Sequence, residues 1–150
     1  MSTTTYSAFA PAAHRHLDDA EYLHEAKRWA NADHLTGFAA ECGLKAILIS
    51  YLGGKLTTGG KPTHDNIPSG SRSYGHIDRL WDQLGATVTG RNGAQFSALI
   101  AAPNPFSSWK VDERYSDGTH IDETRVTAHL THARRILSLH EQARINGAII

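Results

Sequence analysis

"LTGFAAECGLKAILISYLGG", Leu35 to Gly54, is the stretch that decides the fold class. Leu35, Phe38, Ala39, Cys42, Leu44, Ala46, Ile47, Ile49 and Leu52 leave hardly a polar side to a helix wound from it. A helix that is apolar nearly all round belongs at the centre of a core. Gly53-Gly54 supplies its stop. On its N-terminal side, Leu17, Ala20, Leu23 and Ala26 or Lys27 recur every three to four residues and predict an amphipathic helix. The pattern lapses in "AKRWANADH", where Asn31 or Asp33 is available to cap the core helix.

Beyond the core helix, "GGKLTTGGKPTHDNIPSGSRSYG" has no period and reads as a loop, long enough to be functional or mobile. Its "GKLTTGGK" is no phosphate-binding loop. The glycine-to-lysine spacing is wrong, Pro62 stands where Ser or Thr is required, and a helix precedes it instead of a strand. "YGHIDRLWDQLG" predicts a short helix with Ile77, Leu80, Trp81 and Leu84 on one face and Gly85 as its stop. "GAQFSALIAAP" predicts another, cut off by Pro103, and "NPFSSWKVDERYSDGTHIDE" reads as irregular or briefly extended. "DETRVTAHLTHARRILSLHEQAR" is a long last helix, with Asp122 as N-cap and Val126, Leu130, Ala133, Leu137 and His140 as its buried stripe. The prediction is an all-α domain over 12–145, four or five helices in an up-and-down bundle with one long loop. Residues 1–11 and 146–150 read as flexible tails.

At 150 residues the chain suits one domain, and fifteen basic against fifteen acidic residues give zero formal charge. That balance excludes a bulk electrostatic pull on nucleic acid, so any such contact must be local. One cysteine, Cys42, allows no intramolecular disulfide and fits a reducing cytoplasm. No signal-peptide pattern opens the chain, and no run approaches the roughly 18 apolar residues a membrane helix needs. Soluble, cytoplasmic and without membrane contact is the expectation. Ten histidines invite a metal site, but no HExxH or CxxC pattern accompanies them. His14 and His16 point apart on a helix, and His129 and His132 share a face, so surface or capping roles are expected, with no metal.

Four stretches together resemble the HEPN domain (higher eukaryotes and prokaryotes nucleotide-binding domain), a small helical bundle. They are "LDDAEYLHEAKR", "HLTGFAAECGLKAIL" with its Glu41-to-Lys45 spacing, "GHIDRLWDQL", and "ERYSDGTH" before the last helix, spanning Ala12 to Arg144. HEPN domains occur in nucleotidyltransferase-linked proteins and RNA-cleaving toxins. The resemblance implies a homodimer in a toxin–antitoxin or phage-defence setting, with RNA or a nucleotide as ligand and a nucleotidyltransferase or antitoxin as partner. Active members pair an arginine with a histidine four to six residues later, which here falls on Arg114 and His120. By resemblance, Arg114 holds the scissile phosphate and His120 exchanges protons. Guanidinium grips phosphate bidentately, and histidine titrates near neutrality. The 2′-hydroxyl of RNA is the nucleophile, so no metal or other cofactor is implied.

Two features depart from that motif: Tyr115 stands where a polar residue is usual, and Asp117-Gly118 reads as a turn with glycine at positive φ. Several alternatives therefore stand. Arg114 is either a phosphate ligand or a structural group paired with an acid such as Glu41. Glu41 with Lys45 is either a helix ion pair or a support for Arg114 and His120. A non-catalytic relative that binds a nucleotide or partner protein, and a plain helical assembly protein, are the other two functional classes. A second Arg-x5-His, Arg28 to His34, spans the first helix junction, away from where the family's pair belongs. Lys61, His64 and Asp65 are read as solvated loop residues, and Trp29, Trp81 and Trp109 as core or interface rather than base-stacking platforms.

Overall fold

The computed structural model describes residues 8–68, 73–88 and 90–148. Residues 1–7 and 149–150, read from sequence as parts of the tails, lie outside the described residues, as does 69–72 of the long loop. The chain is all-α. Helix α1 is Phe9–Glu25, α2 Trp29–Tyr51, α3 Ile77–Gln83, α4 Gly90–Ala101 and α5 Glu123–Ala148. Helix α1 thus begins inside the segment expected to be a tail, and α5 runs past residue 145.

The apolar segment forms the C-terminal three-quarters of α2, and α1 and α5 both pack on it. Alanines let the backbones come close: Ala13 and Ala20 of α1 and Ala32, Ala39 and Ala40 of α2 are all buried. Leu44, Ile47 and Leu48 of α2 join Leu130 and Ile136 of α5 in the same core. Each such fully buried aliphatic side chain stabilises the fold by roughly 1.5–3 kcal/mol relative to exposure.

The junction of α1 and α2 is a Schellman turn. The Lys27 N–H donates to the His24 carbonyl (3.0 Å) and the Arg28 N–H to the Leu23 carbonyl (2.9 Å). Lys27 holds the left-handed position at φ 61°, where glycine is usual, at a cost of about 1 kcal/mol. Helix α2 then starts at once at Trp29, with no side-chain cap. Asn31 and Asp33, expected as caps, are inside the helix.

The long loop contains a short antiparallel ladder, β1 (Lys55–Leu56) with β2 (Pro62–Thr63), pairing Lys55 with Thr63. His64 folds it back: its Nε2 donates to the Leu52 carbonyl at 2.7 Å while Nδ1 accepts from the Asn66 N–H at 2.8 Å. Helix α3 continues into a 3-10 turn at Leu84–Thr87, so Gly85 does not end it. Asn104 clamps the chain that follows α4. Its Nδ2 donates to the Ile77 and Asp78 carbonyls (3.2 and 3.0 Å), and its Oδ1 accepts from the Phe106 N–H at 2.9 Å. Phe106 and Trp109 are then buried, and the chain surfaces as a second 3-10 turn, Val111–Tyr115. Among the described residues no helix is long and apolar enough to cross a membrane.

Candidate functional site

The "RYSDGTH" segment is a self-bonded turn laid against the start of α2. Gly118 has φ +75°, and a Cβ there would stand 2.5 Å from the Ala30 Cβ, so only glycine meets both demands. The Ser116 hydroxyl donates to the Glu113 carbonyl at 2.9 Å and accepts from the Gly118 N–H at 3.2 Å. Asp117 Oδ1 accepts from the Thr119 N–H (3.1 Å) and hydroxyl (2.9 Å), which hold its carboxyl below the ordinary range. Asp122 caps α5 by accepting from the Arg125 N–H at 2.9 Å.

Docking the turn on α2 encloses a cleft of about 290 Å³ between them. Its floor is the first turn of α2, Trp29–Asn31, and its walls carry Arg28, His34, Glu113, Arg114 and Asp117. The first N–H groups of a helix lack intrahelical acceptors and carry about half a positive charge. In α2 no side chain among the described residues caps them. Neither Arg28 nor Arg114 has a carboxylate partner among the described residues. The two acids of the cleft are engaged elsewhere. Glu113 Oε2 meets His120 Nε2 at 2.8 Å and the Ser116 hydroxyl at 3.2 Å, and Asp117 is held by Thr119. An uncapped helix start flanked by two unpaired guanidinium groups is an anion-binding geometry.

Arg114 and His120 do not meet in this chain. The Arg114 guanidinium carbon lies 4.8 Å from the centre of the Tyr115 ring, which is 76% exposed. His120 is outside the lining of the cleft and reaches it only through Glu113. The pair set aside from sequence is the one the fold brings to Arg114: Arg28 and His34 line the same cleft. Local spacing could not show this, because some eighty residues separate them from the turn that meets them.

His34 is half-buried and held by rings. It stacks on Trp109 (centroids 5.3 Å apart, planes at 19°) and stands edge-on to Phe38 at 4.8 Å. Its Nδ1 is buried without a hydrogen-bond partner. Burial first, and then the Arg114 guanidinium, hold it below the ordinary histidine value of 6.5. Asp33 and Glu113 pull the other way, and His76 adds weakly to the lowering. Trp109 is fixed in turn. Its Nε1 donates to the Asp33 carbonyl at 3.1 Å, and its indole fills the space a Cβ on Gly37 would need.

Two polar clusters each surround a buried carboxylate, and of their contacts only the Glu41–Lys45 helix pair was read from the sequence. Asp33, 1% exposed, contacts His129 Nδ1 at 2.6 Å and Arg125 Nε at 3.1 Å, while His129 Nε2 lies 3.1 Å from the Pro105 carbonyl. His129, expected on the surface, is therefore a core residue, stacked on Phe106 at 4.8 Å. Its place one turn after Val126 on the apolar stripe was the available signal. Glu41, also buried, joins Lys45 Nζ (3.0 Å) and His76 Nδ1 (2.9 Å) instead of Arg114. Trp81 and Trp109 are buried in the core, whereas Trp29 is half-buried in the cleft.

Among the described residues no group of three His, Cys, Asp or Glu side chains is placed to hold a metal ion. No protein-family model matches the chain, and neither curated proteins nor solved structures give a match.

Proposed function

We propose that the chain is a HEPN-like protein that takes the phosphate of RNA or of a nucleotide into the cleft between α2 and the "RYSDGTH" turn. The observation that carries this is the convergence of Arg28 and Arg114, both without a carboxylate partner among the described residues, on the uncapped start of α2. In this reading the protein is a metal-independent endoribonuclease. Arg114 and Arg28 hold the scissile phosphate, and His120, in contact with the lining residue Glu113, takes part in proton exchange. Tyr115, exposed beside Arg114, offers a face on which a flanking base stacks. Glu41 and Lys45 act at a distance, by fixing His76 against the ring cluster of Phe38 and Trp109 that backs His34. Assembly as a homodimer in a toxin–antitoxin or phage-defence system, with a nucleotidyltransferase or antitoxin partner, follows from the family resemblance.

Incubation of the purified protein with single-stranded RNA in excess EDTA tests the reading. Cleavage that Arg114→Ala abolishes is expected, and cleavage untouched by both Arg114→Ala and Arg28→Ala removes this cleft as its seat. The capture of His120 by Glu113 favours a second reading, a non-catalytic relative that binds a nucleotide. That reading expects no cleavage but a nucleotide-dependent rise in melting temperature that Arg28→Ala removes.

A further inference from the structure

We propose that His34 is a catalytic residue of this cleft, the base that takes the 2′-hydroxyl proton of a bound RNA strand; this rests on the ribonuclease reading above. Four observations point to it. His34 lines the cleft with Arg28 and Arg114, while His120 does not. Its ring is fixed from two sides, stacked on the buried Trp109 and edge-on to Phe38, so it needs little ordering when a ligand arrives. Nδ1 is buried and unpartnered, which leaves Nε2 as the nitrogen open to a ligand. Among the described residues no carboxylate contacts the ring directly, in contrast to His120 on Glu113, His129 on Asp33 and His76 on Glu41.

The surroundings suit a base that works near neutral pH. The charged groups facing His34 are Arg114 and Glu113 from the 3-10 turn, Asp33 from its own helix and His76 from the segment before α3. Burial and Arg114 outweigh the acids and keep the ring neutral at pH 7. With the phosphate held by Arg28 and Arg114, His34 Nε2 takes the 2′-hydroxyl proton as that oxygen bonds to phosphorus. The bond from phosphorus to the 5′ oxygen breaks, and this oxygen takes a proton from His120 or solvent. The products are a 2′,3′-cyclic phosphate and a 5′-hydroxyl, and His34 returns its proton to solvent. No oxidation and no metal enter the balance.

The test measures kcat and KM on single-stranded RNA in EDTA across pH 5 to 8, with binding of a 2′-O-methyl strand of the same sequence in parallel. His34→Gln is expected to lower kcat by about 100-fold or more, with KM and 2′-O-methyl affinity within a few-fold of wild type. The acid limb of kcat/KM, which reports the free protein and lies below 6.5 in the wild type, should vanish in His34→Gln. His34→Asn, a second variant checked with the first by melting temperature, guards against a folding defect. Should kcat in both His34 variants stay within threefold of wild type while Arg114→Ala abolishes it, the assignment to His34 is overturned. A wild-type protein that binds the 2′-O-methyl strand yet cleaves no RNA overturns the ribonuclease reading itself, and the two failures are distinct.

Discussion

Asp33 and His34 are consecutive residues of α2 and serve two regions built on opposite terms. Asp33 faces α5, where its carboxylate is enclosed by His129 and Arg125 and its carbonyl is taken by Trp109. His34 opens on the cleft, where two arginines and the helix start have no carboxylate or side-chain cap to meet them among the described residues. The contrast has a physical reason. An ionised group out of water costs several kcal/mol unless fully paired, so a charge the fold buries must bring its partners from the chain itself. A charge left unpaired at the surface costs little and remains free for a partner from outside. Completeness of pairing therefore separates a group that holds the fold together from one that is available to a ligand.

Breaking the paired side has the largest expected effect. Asp33→Ala leaves His129 and Arg125 facing each other without the carboxylate between them. Such breakage of a buried pair costs about 3–5 kcal/mol. Urea unfolding should show the midpoint collapsing accordingly; a loss below about 1 kcal/mol would mean the cluster is hydrated rather than buried. Next in size is Gly118→Ala, which meets the Ala30 Cβ and must also hold φ +75°. The combined strain is about 1–3 kcal/mol. Because relief comes by lifting the turn off α2, the variant should lose affinity for a nucleotide more than it loses stability. Equal affinity at wild-type strength would show that the cleft does not depend on this docking.

The two regions also differed in how far the sequence disclosed them. The core helix was legible because its apolar residues recur on every side, and Asp122 because a cap acts within one turn of itself. The Asp117-Gly118 turn was legible for the same local reason. Asp33 was not, since an aspartate early in a helix looks like a cap until the partner from α5, ninety-six residues on, is known. The start of α2 was missed because a lysine, and not a glycine, holds the left-handed position before it. The cleft needed the fold itself. Arg28 and His34 acquire Arg114 as a neighbour only when the turn seats on Ala30, and no spacing along the chain encodes that contact.

Acid should weaken the fold through the histidines that burial holds low. His16, His34, His132 and His140 are all held below 6.5, in each case chiefly by burial. A histidine whose folded value lies below its unfolded one binds fewer protons in the folded state. Its share of stability is whole above pH 6.5 and is lost as pH falls from there through the folded value. Unfolding free energy measured by urea should therefore decline between pH 7 and pH 5, before carboxylates begin to protonate. A flat profile over that interval would mean these rings are as exposed folded as unfolded. In His34→Gln the decline should be shallower than in the wild type.

The two cleft arginines should matter least to stability and most to binding. Arg28→Ala and Arg114→Ala each remove an exposed guanidinium with no ion-pair partner among the described residues, so unfolding free energy should stay within about 0.5 kcal/mol of wild type. Each should nevertheless weaken binding of a nucleotide or a 2′-O-methyl RNA strand about tenfold or more, because a charge-assisted bond to phosphate contributes roughly 1.5–3 kcal/mol. The loss should shrink as salt rises, because contacts to phosphate, which these are on the proposed reading, compete with counterions. Arg114→Ala should also raise the titration point of His34, by withdrawing the largest charge that opposes its protonation. Nitrogen-resolved NMR of the ring reads that shift without any ligand. If affinity falls in neither variant while stability falls in both, the arginines belong with Asp33 as part of the framework, and unpaired charge is no guide to function here.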